Sequence, residues 1–285
     1  QYAKNLKALE PKVRDNLKLV MRTYIQKPRT SKGWTGPVNQ PEPLLPPDIE
    51  QGMQYCRDMM IQIVELGLPI ADEVLFTHGA RGFLELLSYV AVGARSGEDQ
   101  EHRVFASAVD CAVGMKNPIS GSLETATNSV LAVQSPHTAV FSGWEVRTNG
   151  NVHAHMVLRG GEDGPNYFAD NIREAYNKML AQKIKNPALI IDASHDNAKV
   201  NGIKDHKRQI EVVRKVMAAM NTEPEIRNVV RGFMIESFIK EGNQKIEGKR
   251  PEEIDTGGLS ITDPCLGWED TERLLLEINE AKKNL

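Results

Sequence analysis

The chain has no surplus of positive charge: 35 Lys and Arg stand against 38 Asp and Glu, a formal net charge of −3 over 285 residues. The electrostatic footprint that nucleic-acid binding needs is therefore missing. Cysteine is scarce. Cys56, Cys111 and Cys265 are an odd number with no C-x-x-C spacing, which argues against a disulfide framework or zinc ribbon and for a reducing, cytoplasmic setting. A chain of this length buries roughly 75% of its unfolded surface and needs no such staples. No apolar run reaches the length of a membrane span, and the stretch around 130–140 is broken by Gln134, Pro136 and His137. Residues 1–14 are charged and helix-like, so they are not expected to be a secretory signal. No low-complexity linker or composition shift divides the chain, and no G-x-G-x-x-G follows the first strand-like run, so a dinucleotide fold loses its main signal.

What is present is a globular composition, 40% hydrophobic and 26% charged, and a rhythm. Short β-rich runs are expected at 17–25, 71–76, 90–94, 112–116, 139–141, 189–192 and 232–236. Helical patterns at 49–66, 82–89, 99–108, 122–134, 171–182, 206–220 and 270–283 alternate with them, apolar residues recurring at i, i+3 and i+4. Residues 145–148 and 153–158 read as a β-hairpin turning at Asn149-Gly150. Repeated βα units imply a buried parallel sheet. Seven of them behind an opening helix (1–14) predict an α/β (β/α)8 TIM barrel in one domain, with its first strand expected upstream of Gln1. A doubly wound sheet is the alternative.

Barrel enzymes build their sites at the C-terminal ends of the strands. Those ends carry Arg22, Lys27 and Arg29 with Thr30, then Arg95 after Gly93-Ala94, Lys116 before Asn117, and Arg159 before Gly160-Gly161. One such cation is ordinarily a solvated charge or an ion-pair partner. Six at one end of a barrel imply anionic ligands, and two phosphorylated or carboxylated substrates rather than one. Later strand ends differ: His195, Glu236 and Asp263 supply one imidazole and two carboxylates. They form a candidate set for Mn²⁺, Fe²⁺ or Zn²⁺, or else a structural histidine and two counter-charges for the cations. A glycosidase-like carboxylate pair is disfavoured by the crowd of cations. His153 and His155, alternating in the expected hairpin, read as surface residues, and Trp268 and Met217–Met220 as packing.

Seven collinear motifs carry a resemblance. Lys27-Pro28-Arg29-Thr30, Gly93-Ala94-Arg95, Gly114 to Asn117, Leu158 to Gly161, Asp192 to His195, Met234 to Ser237, and Ser260 to Trp268 resemble the type I 3-deoxy-D-arabino-heptulosonate 7-phosphate synthases, also called phospho-2-dehydro-3-deoxyheptonate aldolases. The Lys-Pro-Arg-Thr element separates them from the related octulosonate synthases. The resemblance implies a barrel that condenses phosphoenolpyruvate with erythrose 4-phosphate at the head of the shikimate pathway to aromatic amino acids. It further implies that Arg22, Arg95, Lys116 and Arg159, with the Ala94 backbone, cradle phosphoenolpyruvate. Pro28, Arg29 and Thr30 would clamp erythrose 4-phosphate. Lys27 would sit between the substrates, Glu73 near the attacking water, and His195, Glu236 and Asp263 on a divalent metal, Mn²⁺ first, with Fe²⁺, Co²⁺ or Zn²⁺ as alternatives. The family's fourth ligand, a cysteine in a Gly-Pro-Cys-Ser element of the first strand, has no counterpart in this sequence. Catalytic roles would fall to Lys27, Glu73, Lys116 and His195. The family is also commonly inhibited by Phe, Tyr or Trp and forms homodimers or homotetramers. Residues 76–82 and 142–147 depart from the feedback-inhibited pattern, so the effector is not readable. Another aldose phosphate, or a non-catalytic sensor of phosphorylated sugars or aromatic amino acids, are the alternative readings.

Overall fold

The computed structural model describes residues 1–27, 33–141 and 143–283. The expected clamp of Pro28, Arg29 and Thr30 lies outside the described residues.

Helix α1 (Tyr2–Val13) turns Ala3, Leu6, Leu9 and Val13 inward. Strand β1 (Met21–Arg22) follows and is short. Tyr24 adopts a left-handed backbone, φ 50°, which an aromatic residue rarely does and which ends the extended run. Helix α2 (Ile49–Glu65) starts at Asp48, whose carboxylate accepts from the Gln51 amide at 2.9 Å, satisfying one orphan donor of the first turn. Then come β2 (Ile70–Val74), the single turn α3 (Thr77–Ala80), β3 (Leu87–Val92), α4 (Gln100–Ala108) and β4 (Ala112–Lys116). Helix α5 (Leu123–Gln134) is capped by the Ser122 hydroxyl. Strands β5 (Thr138–Phe141) and β6 (Trp144–Arg147) form a separate antiparallel ribbon. The main sheet resumes with β7 (His155–Leu158), then α6 (Ala169–Ala181) and β8 (Leu189–Asp192). A small ribbon of β9 (Lys199–Val200) and β10 (Ile203–Lys204) precedes α7 (Arg208–Thr222), α8 (Pro224–Val229), β11 (Val230–Met234) and α9 (Trp268–Lys283).

Seven strands make one sheet in the order β1-β2-β3-β4-β7-β8-β11, and every neighbouring pair is parallel. Spatial order repeats chain order and never reverses. A doubly wound sheet reverses at a switch point, so that alternative is set aside and the barrel class stands. Among the described residues no strand joins β11 to β1. Strands β2 and β7 are buried along their whole length, as expected where helices cover one face and side chains from other strands fill the other.

Four expectations need correcting. Residues 139–141 are not a barrel strand; they pair with 144–147 in the β5–β6 ribbon. Residues 155–158 are not the return arm of a hairpin; they are barrel strand β7, between β4 and β8. Asn149-Gly150 does hold a turn conformation, Gly150 at φ +79°, but that glycine packs against the Gln134 backbone and the chain passes inward instead of reversing. The helix expected at 82–89 is a brief 3-10 turn at Leu84–Leu86 before β3 begins. His155 is accordingly buried, its Nε2 2.8 Å from the Tyr89 hydroxyl, not on the surface.

Candidate active site

The strand ends gather ionised side chains into a buried network. Lys116, the last residue of β4, places its ammonium 2.7 Å from Glu73 Oε2 and 3.3 Å from Asp192 Oδ2. Both carboxylates stand at strand ends, of β2 and β8, and all three side chains are nearly inaccessible. On the far side of Asp192, His195 Nδ1 lies 3.0 Å from Oδ2, and its Nε2 is 3.8 Å from Glu236 Oε1. His195 reaches this position from a left-handed backbone, φ 52°. Glu236 is held at its main chain by Gln209: the Glu236 amide donates to Gln209 Oε1 (2.8 Å) and the Gln209 amide donates to the Glu236 carbonyl (3.0 Å). Its carboxylate accepts from Ser194 Oγ (2.8 Å) and Lys204 Nζ (2.6 Å). Lys204 also meets Asp263 Oδ1 at 3.3 Å.

A second cluster lies at the end of β1. The Tyr24 ring has Arg22 Cζ 4.8 Å and Lys27 Nζ 3.7 Å from its centroid, so one ring face-contacts two cations. Burial pushes the Lys27 ammonium down to about 8, Arg22 adds to the lowering, and Glu236 and Asp263 oppose it. Desolvation, not the neighbouring cation, is the largest cause. Burial acts to raise the carboxyl pKa values of Asp192 and Glu236, yet cations win: His195, Lys116 and Arg22 hold Asp192 well below the usual range, and Lys204 and His195 lower Glu236. Glu73 is lowered too, against its burial, by Lys116 and Arg22. These carboxylates are therefore charged at neutral pH.

Arg159 follows β7 and is nearly buried. Its amide donates to Asn117 Oδ1 (2.9 Å), and Asn117 Nδ2 donates to the Gly160 carbonyl (2.8 Å). Gly160 has φ +80°, and a Cβ there would meet the Asn197 backbone at 2.7 Å. Only glycine fits that approach. Gly93 is similarly constrained, a Cβ falling 2.9 Å from Glu73 Oε1. Ala94 and Arg95 come next, Arg95 exposed at the same end of the sheet.

Of the expected residues, the structure thus links Glu73, Lys116, His195, Glu236 and Asp263 in one continuous chain of contacts, with Arg22 and Lys27 stacked on Tyr24 beside it. Asp192, Lys204, Tyr24 and Asp196 were not expected as site residues. Asp192 could have been found as the charged end of an otherwise apolar strand. The three expected metal ligands do not converge as a set: His195 and Glu236 are adjacent, whereas Asp263 is half exposed and held by Lys204. Among the described residues no group of three His, Cys, Asp or Glu side chains is spaced to hold a metal ion. Imidazole and carboxylate are fitting donors for a divalent cation, but only this pair is in place.

Among the described residues, Glu73 Oε2, Asp192 Oδ2 and His195 Nδ1 are buried and held by ion pairs alone, and Arg159 Nε is buried without a hydrogen-bond partner.

A model of the DAHP synthetase I family matches residues 1–276. The chain belongs to this family. It is 39% identical over 285 residues to the Tyr-sensitive phospho-2-dehydro-3-deoxyheptonate aldolase of Salmonella typhimurium, an alignment covering 98% of this chain and 77% of the relative. It is 37% identical over 289 residues to the Trp-sensitive aldolase of Escherichia coli K12, covering 99% and 79%. The solved structure of the phospho-2-dehydro-3-deoxyheptonate aldolase of Francisella tularensis SCHU S4 superposes with a TM-score of 0.91 at 33% identity, over 99% of this chain and 81% of that one. None of its described helices is long and apolar enough to cross a membrane.

Proposed function

We propose that this chain, as a single barrel domain, condenses phosphoenolpyruvate with erythrose 4-phosphate and water, giving 3-deoxy-D-arabino-heptulosonate 7-phosphate and phosphate. Family membership and the relatives' names support the reaction. The observation that carries the site is that Lys116, Glu73, Asp192, His195 and Glu236 meet in one buried charged network at the strand ends.

The chain's own residues divide the chemistry as follows. Arg22, Arg95, Lys116 and Arg159 bind the phosphate and carboxylate of phosphoenolpyruvate, with the Ala94 backbone assisting. Pro28, Arg29 and Thr30 receive the phosphate of erythrose 4-phosphate. Carbon 3 of phosphoenolpyruvate attacks the aldehyde carbon, and the aldehyde oxygen takes a proton from Lys27, whose lowered pKa suits a neutral-pH acid. Water adds at carbon 2, ordered by the Glu73–Lys116 pair, and phosphate leaves by C–O cleavage. Charged Glu73, Asp192 and Glu236 keep the cations aimed inward. His195 and Glu236 would hold a divalent cation, with Asp263 as third donor once released from Lys204, and that cation would supply a Lewis acid toward the aldehyde oxygen.

The test is phosphate release from phosphoenolpyruvate, with Mn²⁺ present, comparing erythrose 4-phosphate with arabinose 5-phosphate. Release with erythrose 4-phosphate alone is the expected result. Equal release with arabinose 5-phosphate, or none with either aldehyde, overturns the reading. The relatives' names extend it to feedback by an aromatic amino acid, read in the same assay as inhibition by Phe, Tyr or Trp.

A further inference from the structure

Arg159 is an anion-binding candidate whose guanidinium is buried and already partly engaged. One terminal nitrogen of its guanidinium is ion-paired to Asp196, while its Nε, buried, has no partner. Asp196 sits one residue after His195 in the 3-10 turn His195–Ala198. That turn is stitched to the end of β7: the Asp196 and Asn197 amides both donate to the Arg159 carbonyl, at 3.1 and 3.3 Å. The carboxylate is shared. Its other oxygen is ion-paired with Lys199, the first residue of the β9–β10 ribbon. The ribbon closes through Asn201 and Gly202, both at positive φ, the combination a tight two-residue hairpin favours. Lys204, directly across from Lys199 in register, belongs to the same ribbon. Asp196 is buried, Arg159 nearly so, and Lys199 about half exposed.

This is a graded arrangement. A buried guanidinium offers a fork to a phosphate or carboxylate. Here a built-in carboxylate already takes one arm of that fork, and a third, more exposed charge draws part of the carboxylate's field away.

We propose that Asp196 and Lys199 are positioning residues that set the affinity for phosphoenolpyruvate through Arg159: Asp196 competes with the substrate's anionic oxygens for the guanidinium, and Lys199 weakens that competition. The inference rests on the functional reading above. It requires two neighbouring substitutions to act with opposite sign. Asp196→Asn keeps an acceptor for Arg159 but removes the charge, so the KM for phosphoenolpyruvate falls, by about fivefold for one unit charge close to the bound anion. Lys199→Gln leaves Asp196 facing Arg159 alone, so the same KM rises, by about two- to threefold for a half-exposed charge. The double variant follows Asp196→Asn, because Lys199 acts only through the carboxylate. The KM for erythrose 4-phosphate moves in neither.

The experiment is steady-state phosphate release by the full chain and its three variants, with equilibrium dialysis of phosphoenolpyruvate as the binding readout. Opposite shifts in the two single variants, with the double variant following Asp196→Asn, support the proposal. Shifts of the same sign, or KM values unmoved while the melting temperature falls, overturn it and leave the trio a structural brace. If Asp196→Asn does not fold, Lys199→Gln decides alone, an unchanged or lower KM refuting. A wild-type chain without turnover on phosphoenolpyruvate and erythrose 4-phosphate refutes the functional reading itself, a different failure.

Discussion

Replacing Lys27 by Met should make the protein more stable and almost inactive. The lowering of the Lys27 pKa from 10.5 to about 8 means that holding this ammonium charged in the folded state costs about 3 kcal/mol. The Tyr24 ring 3.7 Å away returns about 1–2 kcal/mol of cation–π attraction, which the Met variant also loses. The net gain is about 1–2 kcal/mol, or roughly 2–6 °C in Tm for a domain of this size. The sign is pH-dependent in a defined way. Between about pH 8 and 10.5 the unfolded chain holds a proton that the folded chain has released, so wild-type stability rises across that window. The advantage of Lys27→Met is therefore full below pH 8 and shrinks as pH approaches 10.5. Thermal denaturation of both proteins at closely spaced pH values, paired with phosphate-release assays, reads both effects. Turnover should fall by orders of magnitude while phosphoenolpyruvate binding persists. A variant that is less stable at pH 7, or that turns over normally, would refute the assignment of a desolvated catalytic ammonium.

Other substitutions separate structure from chemistry. Lys116→Met leaves Glu73 and Asp192 buried without their shared cation; a loss of about 3–5 kcal/mol is expected in urea titration, and a change below 1 kcal/mol would contradict the pairing. Asp72, buried, is raised to about 7 by desolvation, while its Oδ1 accepts from the Ile25 amide at 3.1 Å. Its contribution to stability is full below pH 3.8 and lost as pH rises through about 7, so Asp72→Asn should gain on wild type above pH 7 and not below pH 4, measured by Tm against pH. Gly160→Ala, forced into φ +80° and against the Asn197 backbone, should cost about 2–4 kcal/mol and raise the KM for phosphoenolpyruvate by displacing Arg159.

The sequence disclosed the barrel because its βα rhythm is a local pattern. Strand β4 and most helices begin and end within a few residues of their expected bounds. The segment 138–158 was misread because a turn-prone Asn149-Gly150 between β-like runs has the local chemistry of a hairpin, and only packing on the Gln134 backbone shows that the chain continues into the sheet. The run expected at 17–25 stops at Arg22 because a left-handed Tyr24 breaks it, and nothing in a tyrosine announces positive φ. In the site, cations at strand ends were legible as residue types following apolar runs. Lys204 and Asp196 were not, since their importance comes from side chains that meet across different segments. Lys204 stands in a small ribbon whose register, not its sequence, brings it between Glu236 and Asp263.

The contact between the first and last helices bears on the order in which the fold assembles. Tyr2 packs edge-on against Trp268, its ring centroid 5.4 Å away, and donates to Ser237 Oγ at 2.8 Å; Asn16 Nδ2 donates to Asn279 Oδ1 at 3.0 Å. Ala3, Leu6, Leu9 and Val13 of α1 belong to a core that Trp268 and Leu275 complete. These partners are separated by more than two hundred residues, whereas each successive βα unit closes a far shorter loop. Loop-closure entropy and the slow formation of distant contacts place this clasp at the end of folding. Intermediates would carry a formed central sheet with the flanks of α1 and α9 still bare. Amide exchange in those two helices should then outpace that in β4, β7 and β8, marking the clasp as the joint where the molecule opens first.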